Sequence, residues 1–241
     1  MTANETILRE IRAALEHEPR VRTHHGAIHI AISDGALTVE GEVENIAVKR
    51  LALEQARALS GTHSTIDRLR IAPGERKGDG AVRDALSRFL LTESVFLDYA
   101  IRARAKGELI VLRDPGAQAQ GPITLEVQEG VVTLSGNVGS LSHRRLAGVL
   151  AWWTPGCRDV INELEVTPLE SDHDDEILDA LRLVLEKDPL VHADQIRADA
   201  HNGVVTLHGF LGTSEERKMA ELDAWYLLGV RDVVNRIEVR Q

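Results

Sequence analysis

Cysteine is almost missing from this chain: Cys157 is the one cysteine in 241 residues. No internal disulfide can form, which suits a reducing compartment. Aromatic residues are scarce at 3%, so aliphatic side chains must fill the cores. No apolar run approaches the ~20 residues needed to span a bilayer. Met1-Thr2-Ala3-Asn4-Glu5-Thr6 has neither a basic nor an apolar leader region, so no secretory signal is expected. Together these absences predict a soluble cytoplasmic protein.

Catalytic groupings are missing as well. Ser60, Ser135 and Ser140 lack the glycine context of a nucleophile elbow. No glycine loop has the spacing that cradles phosphate. Ten histidines invite a metal hypothesis, but neither His24-His25 with His29 nor His173-Asp174-Asp175 has zinc-ligand spacing, and solvated surface is the plainer reading. The expectation is therefore no enzyme, no catalytic residue, no metal and no cofactor. Cys157 is read as a small buried residue rather than a reactive thiol.

What the chain has is a glycine frame, written three times. The copies begin Asp34-Gly35-Ala36-Leu37-Thr38-Val39-Glu40-Gly41, Glu129-Gly130-Val131-Val132-Thr133-Leu134-Ser135-Gly136 and Asn202-Gly203-Val204-Val205-Thr206-Leu207-His208-Gly209. A third glycine follows twenty residues later in each, at Gly61, Gly156 and Gly229. Repetition at fixed spacing marks a tandem of small modules, and such arrays bind or assemble more often than they catalyse.

Each copy reads in the same order. Apolar residues at spacings of three and four open it: Ile7, Leu8, Ile11, Ala14, Leu15; Val82, Leu86, Phe89, Leu90; Ile177, Leu178, Leu181, Val184, Leu185. These predict helices with one buried stripe. Alternations such as Ile28, Ile30, Ile32 and Ile123, Leu125, Val127 predict a strand with one buried face. A tight turn at the first glycine leads into a second strand. The second glycine is expected to end that strand. Asn45, Ser140 or Thr213 then caps a second helix, and Thr213-Ser214-Glu215-Glu216 has the form of a capping box. The third glycine is expected to stop the helix in a left-handed C′ position. A last strand closes the module. The fold class is α+β: three αββαβ modules, each a three-stranded mixed sheet covered by two helices. The modules are placed at 1–72, 79–167 and 172–241. The acidic linker Pro168–Asp175 is expected to stay solvated.

The net charge of −10 sits almost wholly in the third module. Residues 1–72 carry ten acidic and nine basic groups, 73–167 twelve and eleven, and 168–241 sixteen and eight. That excess argues against nucleic acid as a partner.

The frame resembles the BON domain, named for bacterial osmotically inducible and nodulation proteins. The matching elements are the Asp/Asn/Glu-Gly-x-x-Thr-[Leu/Val]-x-Gly block, the alanine-bearing helix, and the closing strands Val160-Ile161-Asn162-Glu163-Leu164-Glu165-Val166 and Val233-Val234-Asn235-Arg236-Ile237-Glu238-Val239. The first copy departs from it: Asp67 replaces the asparagine and Thr62 follows the glycine, changes that would loosen that module. The resemblance implies a non-enzymatic module tied to phospholipid or envelope binding and to osmotic or general stress. In some cytoplasmic members it implies potassium binding, so a K⁺-responsive sensor is the alternative. A potassium site built from backbone carbonyls would leave no sequence signature.

Two features mark candidate contact residues. The second module carries an extra segment near 97–121. From Val95 to its turn glycine Gly130 is 35 residues, against 14 from Val21 to Gly35 and 12 from Val191 to Gly203. It reads as a β-hairpin with Leu97, Tyr99, Ile101, Ala103 and Ala105 on one face and Arg102, Arg104 and Lys106 on the other, closed by Arg113. That surface suits an anionic lipid headgroup, a protein partner or another copy of the chain; equally, the hairpin merely extends its own sheet. The second feature is the pair Trp152-Trp153, matched by Trp225-Tyr226. Aromatics at a helix end suit a membrane interface. Their identical placement in two copies suits packing within or between modules. The nine frame glycines are assigned a structural role: Gly35, Gly41, Gly61, Gly130, Gly136, Gly156, Gly203, Gly209 and Gly229.

Overall fold

The computed structural model describes residues 3–22 and 28–240, in two compact units, residues 1–72 and 73–241. His24 and His25 lie outside the described residues.

The first unit contains helices α1 (Ala3–His17), α2 (Pro19–Arg22) and α3 (Ile46–Ser60) and strands β1 (Ile28–Ser33), β2 (Ala36–Val43) and β3 (Ser64–Ile71). Pro19 opens α2 rather than extending α1, since its ring cannot continue a helix. The sheet order is β1-β2-β3, antiparallel and then parallel. Ile11 and Leu15 of α1 and Ala52 and Ala56 of α3 are buried with Leu37, Val39 and Leu69 of the sheet. The predicted stripe is therefore the core face.

In the second unit the frame repeats twice. One copy comprises α4 (Asp79–Thr92), β4 (Ala100–Ala105), β5 (Glu108–Arg113), β6 (Pro122–Gln128), β7 (Val131–Val138), α5 (Leu141–Trp152) and β8 (Asp159–Val166). The other comprises α6 (Asp174–Lys187), β9 (Ile196–His201), β10 (Val204–Leu211), α7 (Ser214–Tyr226) and β11 (Asp232–Val239). The latter has three strands in the order β9-β10-β11. The former has five, β5-β4-β6-β7-β8, because the extra hairpin adds two strands beside β6. These two are the hairpin expected near 97–121, and β6-β7-β8 keep the three-stranded sheet of the other modules. Of the stripe predicted on α4, Val82, Leu86 and Leu90 are buried but Phe89 is exposed.

The frame glycines share a turn but serve different packing roles. In all three copies the residue before the first glycine and the glycine itself have positive φ: Asp34 52° and Gly35 76°, Glu129 53° and Gly130 75°, Asn202 52° and Gly203 75°. That is the backbone of a type I′ hairpin turn. A Cβ on Gly203 would lie 2.8 Å from the carbonyl oxygen of Gly229, and one on Gly130 3.2 Å from that of Gly156. In the second and third copies the first and third glycines thus pack together across the sheet end, whereas nothing lies within 4 Å of a Cβ on Gly35. An aspartate at the start of the preceding helix completes the clasp. Asp79 accepts from the N–H groups of Glu129 and Gly130 at 3.0 and 2.8 Å. Asp174 accepts from Asn202 and Gly203 at 2.7 and 2.8 Å, and those backbone bonds hold its carboxyl below the ordinary range.

The second glycine does not end its strand. β2, β7 and β10 each run two residues past Gly41, Gly136 and Gly209. The glycine is needed because the antiparallel neighbour comes very close: a Cβ on Gly136 would lie 1.9 Å from the Pro122 carbonyl oxygen, and one on Gly209 2.0 Å from that of Gln195. The third glycine also differs between copies. Gly61 follows α3 directly with φ 61°. After α5 and α7 the cap residues are Trp153 and Leu227, and the glycine falls in the next turn. Cys157 N–H donates to Thr154 O across Pro155-Gly156, with Gly156 at φ 92°. Proline followed by a positive-φ glycine is the pattern of a type II turn.

Asn45, Ser140 and Thr213 each accept from the N–H three residues on. Glu216 does not close a full capping box; it accepts from Gly212 N–H and from His192. Asn162 and Asn235 tie the last strand to the second helix by donating to Arg144 O and Arg217 O, at 2.8 and 3.1 Å. In the first module that tie is rebuilt with charge. Asp67 pairs with Lys49 at 3.0 Å, and Lys49 Nζ donates to Leu69 O at 2.6 Å. The expected loosening at Asp67 is met by this substitute.

The acidic linker is largely exposed, as expected, but it is tied down at two points. Glu170 accepts from Leu141 N–H at 2.7 Å, satisfying one of the orphan donors of α5. Asp172 accepts from Arg145 at 2.6 Å.

Candidate functional surface

Turn chemistry builds the extra hairpin. Lys106 and Gly107 have φ 51° and 84°, which joins β4 to β5 by a two-residue type I′ turn. Tyr99, Ile101 and Ala103 are buried on the helix side, while Leu97 is exposed. Arg104 faces outward and pairs with Glu126 of β6 at 3.5 Å, a surface contact of small energetic weight. Arg102 is half-buried, and Lys106 sits at the exposed tip. Register places Arg102 opposite Val111 and Arg104 opposite Leu109. Arg113 turns inward instead. Its guanidinium donates to the carbonyl oxygens of Leu91 at 2.9 Å, Tyr99 at 3.2 Å and Phe96, so it fastens the hairpin base.

Strand β5 supplies what the sequence reading missed. Leu109, Ile110, Val111 and Leu112 are 47%, 43%, 56% and 36% exposed. β5 is the edge strand, and both of its faces reach the surface. The run of four apolar residues, with no polar residue between them, was the available signal.

The aromatic pairs lie elsewhere, between α5 and α7. Trp152 stacks on Tyr226 with centroids 5.7 Å apart and planes at 17°. Trp225 is fully buried. Trp153 Nε1 donates to Asp223 Oδ1 at 2.9 Å. Arg145, a residue the sequence did not single out, also crosses between these helical layers. It is 2% exposed and donates to Leu228 O at 2.8 Å, Glu176 O at 3.4 Å and Asp172 at 2.6 Å. Lys187 and Glu93 add a half-buried ion pair at 2.7 Å. These contacts join the two copies of the frame in residues 73–241, and Trp152, Trp153 and Tyr226 are engaged there.

Asp223 is fully buried in that layer. Burial and the neighbouring Asp188 carboxylate push its pKa up to about 8, against the Trp153 hydrogen bond that favours its charged form. The Oδ2 atoms of Asp188 and Asp223 are buried with no other hydrogen-bond partner, so a proton on Asp223 supplies the donor the pair needs. The folded-state pKa lies above the unfolded value. The stabilisation is therefore fully present below pH ~4 and is lost as pH rises through ~8. Asp223→Asn, which carries a fixed donor, is expected to melt above the parent at pH 9. The difference should shrink toward pH 5, changing by at most about 1.4 kcal/mol per pH unit. A pH-independent difference in melts from pH 5 to 9 would contradict the assignment.

Among the described residues no group of three or more His, Cys, Asp or Glu side chains could hold a metal ion. Asp174, from the histidine-bearing linker, is occupied by the hairpin clasp. Cys157 is buried. No described helix is long and apolar enough to cross a membrane.

The sequence profile described as "BON domain" matches residues 3–73, 98–168 and 173–241. No curated protein matches. Among solved structures, the chain is similar to the C-terminal domain of CdsD, "the structural protein of the Type III secretion system of Chlamydia trachomatis". Identity is 16%, covering 97% of this chain and 96% of that one, at a TM-score of 0.26. A second CdsD structure from the same organism gives 16% identity, 98% and 92% coverage and a TM-score of 0.25. Values this low carry no argument about function.

Proposed function

This chain belongs to the BON domain family, and on that premise we propose that it is a non-enzymatic binding and assembly protein whose contact surface is the hairpin of the second module. BON domains are associated with stress and with binding phospholipid or protein. The ligand proposed is an anionic phospholipid surface, in an osmotic or general stress role.

One observation carries the reading. Among the described residues, only the second of three sheets has the extra hairpin, and it presents Arg102, Arg104 and Lys106 beside exposed Leu109 and Val111. Basic groups next to shallow apolar side chains are the chemistry of an interfacial contact, with each cation near an anionic surface contributing about 1 kcal/mol. The chain's net charge of −10 opposes approach, but physiological salt screens it beyond roughly 8 Å. The local patch therefore acts on its own.

The test is co-sedimentation with vesicles containing phosphatidylglycerol. Replacing Arg102, Arg104 and Lys106 together by Glu is expected to abolish binding at 0.15 M salt while shifting the melting temperature by no more than ~3 °C. Vesicles of phosphatidylcholine alone should bind neither protein. Equal binding of parent and triple variant would remove the hairpin from the account.

A further inference from the structure

Edge strands are templates for other strands unless something blunts them. Most of the other edges here are blunted by charge. β3 carries Asp67, Arg68 and Arg70, β8 carries Glu163 and Glu165, β9 carries Arg197 and Asp199, and β11 carries Arg236 and Glu238. β1 exposes His29, Ala31 and Ser33. β5 has no such guard between Glu108 and Arg113, and among the described residues it alone exposes four consecutive large apolar side chains.

Its outward hydrogen-bonding groups follow from the turn. Ala105 and Glu108 flank the two-residue loop, so Glu108 N–H points back to β4. In an antiparallel ladder the next residue faces the other way. Leu109 and Val111 therefore direct their N–H and C=O groups outward, with no strand among the described residues beside them.

We propose that β5 pairs antiparallel with β5 of a second copy of this chain, about a two-fold axis through Ile110, joining two five-stranded sheets into one. Symmetry requires that opposed residues lie on the same face, so their numbers sum to an even value. β5 bulges at Leu112, where its pairing with β4 steps from Arg102↔Val111 to Ile101↔Arg113, so its regular stretch runs from Glu108 to Val111. With the axis at Ile110, Leu109 pairs with Val111 of the second copy, which uses both outward-facing residues of that stretch, and the Lys106 tip of each copy approaches the Asp114 end of the other. An axis one residue earlier or later sets one of them against its own copy and the other against the turn or the residues past the bulge. Arg113 does not interfere, because its guanidinium is spent on backbone carbonyls. Arg102 and Arg104 lie on β4, so their counterparts are three strand spacings away, about 14 Å, beyond the screening length of roughly 8 Å.

This pairing goes beyond the lipid reading and is tested without lipid. Light scattering of the full chain at tens of micromolar is expected to give twice the 26.5 kDa chain mass. Leu109→Lys with Val111→Lys sets lysines opposite one another across the axis. That variant should be monomeric by light scattering, with the circular dichroism of the folded parent. Ile110→Cys meets its own copy at the axis and should cross-link on mild oxidation, at least ten times faster than Val111→Cys; the native thiol, Cys157, is buried. The cross-link decides the question if the lysine variant does not fold. A monomeric parent, a dimeric lysine variant, or equal cross-linking at 110 and 111 overturns the pairing. A monomer that still binds vesicles sinks this proposal alone, and a dimer that ignores them sinks only the lipid reading.

Discussion

Gly136→Ala is expected to unfold the second module or to prevent it from folding. The added Cβ would sit 1.9 Å from the Pro122 carbonyl oxygen, which is backbone and cannot swing aside. The φ of 120° is itself strained for alanine. Such backbone strain costs about 1–3 kcal/mol. Prising β6 from β7 to relieve the clash costs ladder hydrogen bonds as well. A total of about 4 kcal/mol approaches the whole stability of a small domain, ~5–15 kcal/mol. Gly209→Ala should do the same to the third module, where the contact is 2.0 Å from the Gln195 carbonyl oxygen. Gly74→Ala is the control, since nothing lies within 4 Å of its added Cβ. Urea unfolding reads the difference, and a loss under 1 kcal/mol for Gly136→Ala would contradict the close approach.

Arg145→Ala is the second large effect. The guanidinium is buried and serves two backbone carbonyls and Asp172. Truncation leaves those carbonyls unsatisfied and opens a gap in the layer beside α6 and α7. Breaking a buried charged network of this kind costs about 3 kcal/mol. In a unit this size that lowers melting by roughly 10 °C. Arg145→Lys should recover only part of it, because one ammonium cannot reproduce the fork of a guanidinium. A calorimetric melt within 2 °C of the parent would show that the two copies of the frame are not held together here.

The glycine frame was legible because spacing alone identifies it. Its physics was not wholly legible. Gly136 and Gly209 read as strand ends, since glycine weakens a strand; in fact the neighbouring strand comes too close for any side chain, and that depends on a pairing partner distant in sequence. The acidic linker read as solvated, and most of it is exposed, but its two ties were not legible. Asp172 and Glu170 meet donors, Arg145 and Leu141 N–H, that only the folded chain brings to them. Asp67 read as a defect because the compensating Lys49 is eighteen residues away and carries no motif of its own. The hairpin was visible in its alternation around Lys106-Gly107. The exposure of Ile110 and Leu112 was not, because alternation states which face a residue takes but not how far the covering helices reach.

Hydrogen exchange of the full chain, with and without phosphatidylglycerol vesicles, tests the central claim most directly. The account predicts that added protection concentrates in residues 100–113, with the other two sheets unchanged. Protection spread equally over all three modules, or absent from 100–113 while the vesicles bind, would contradict it.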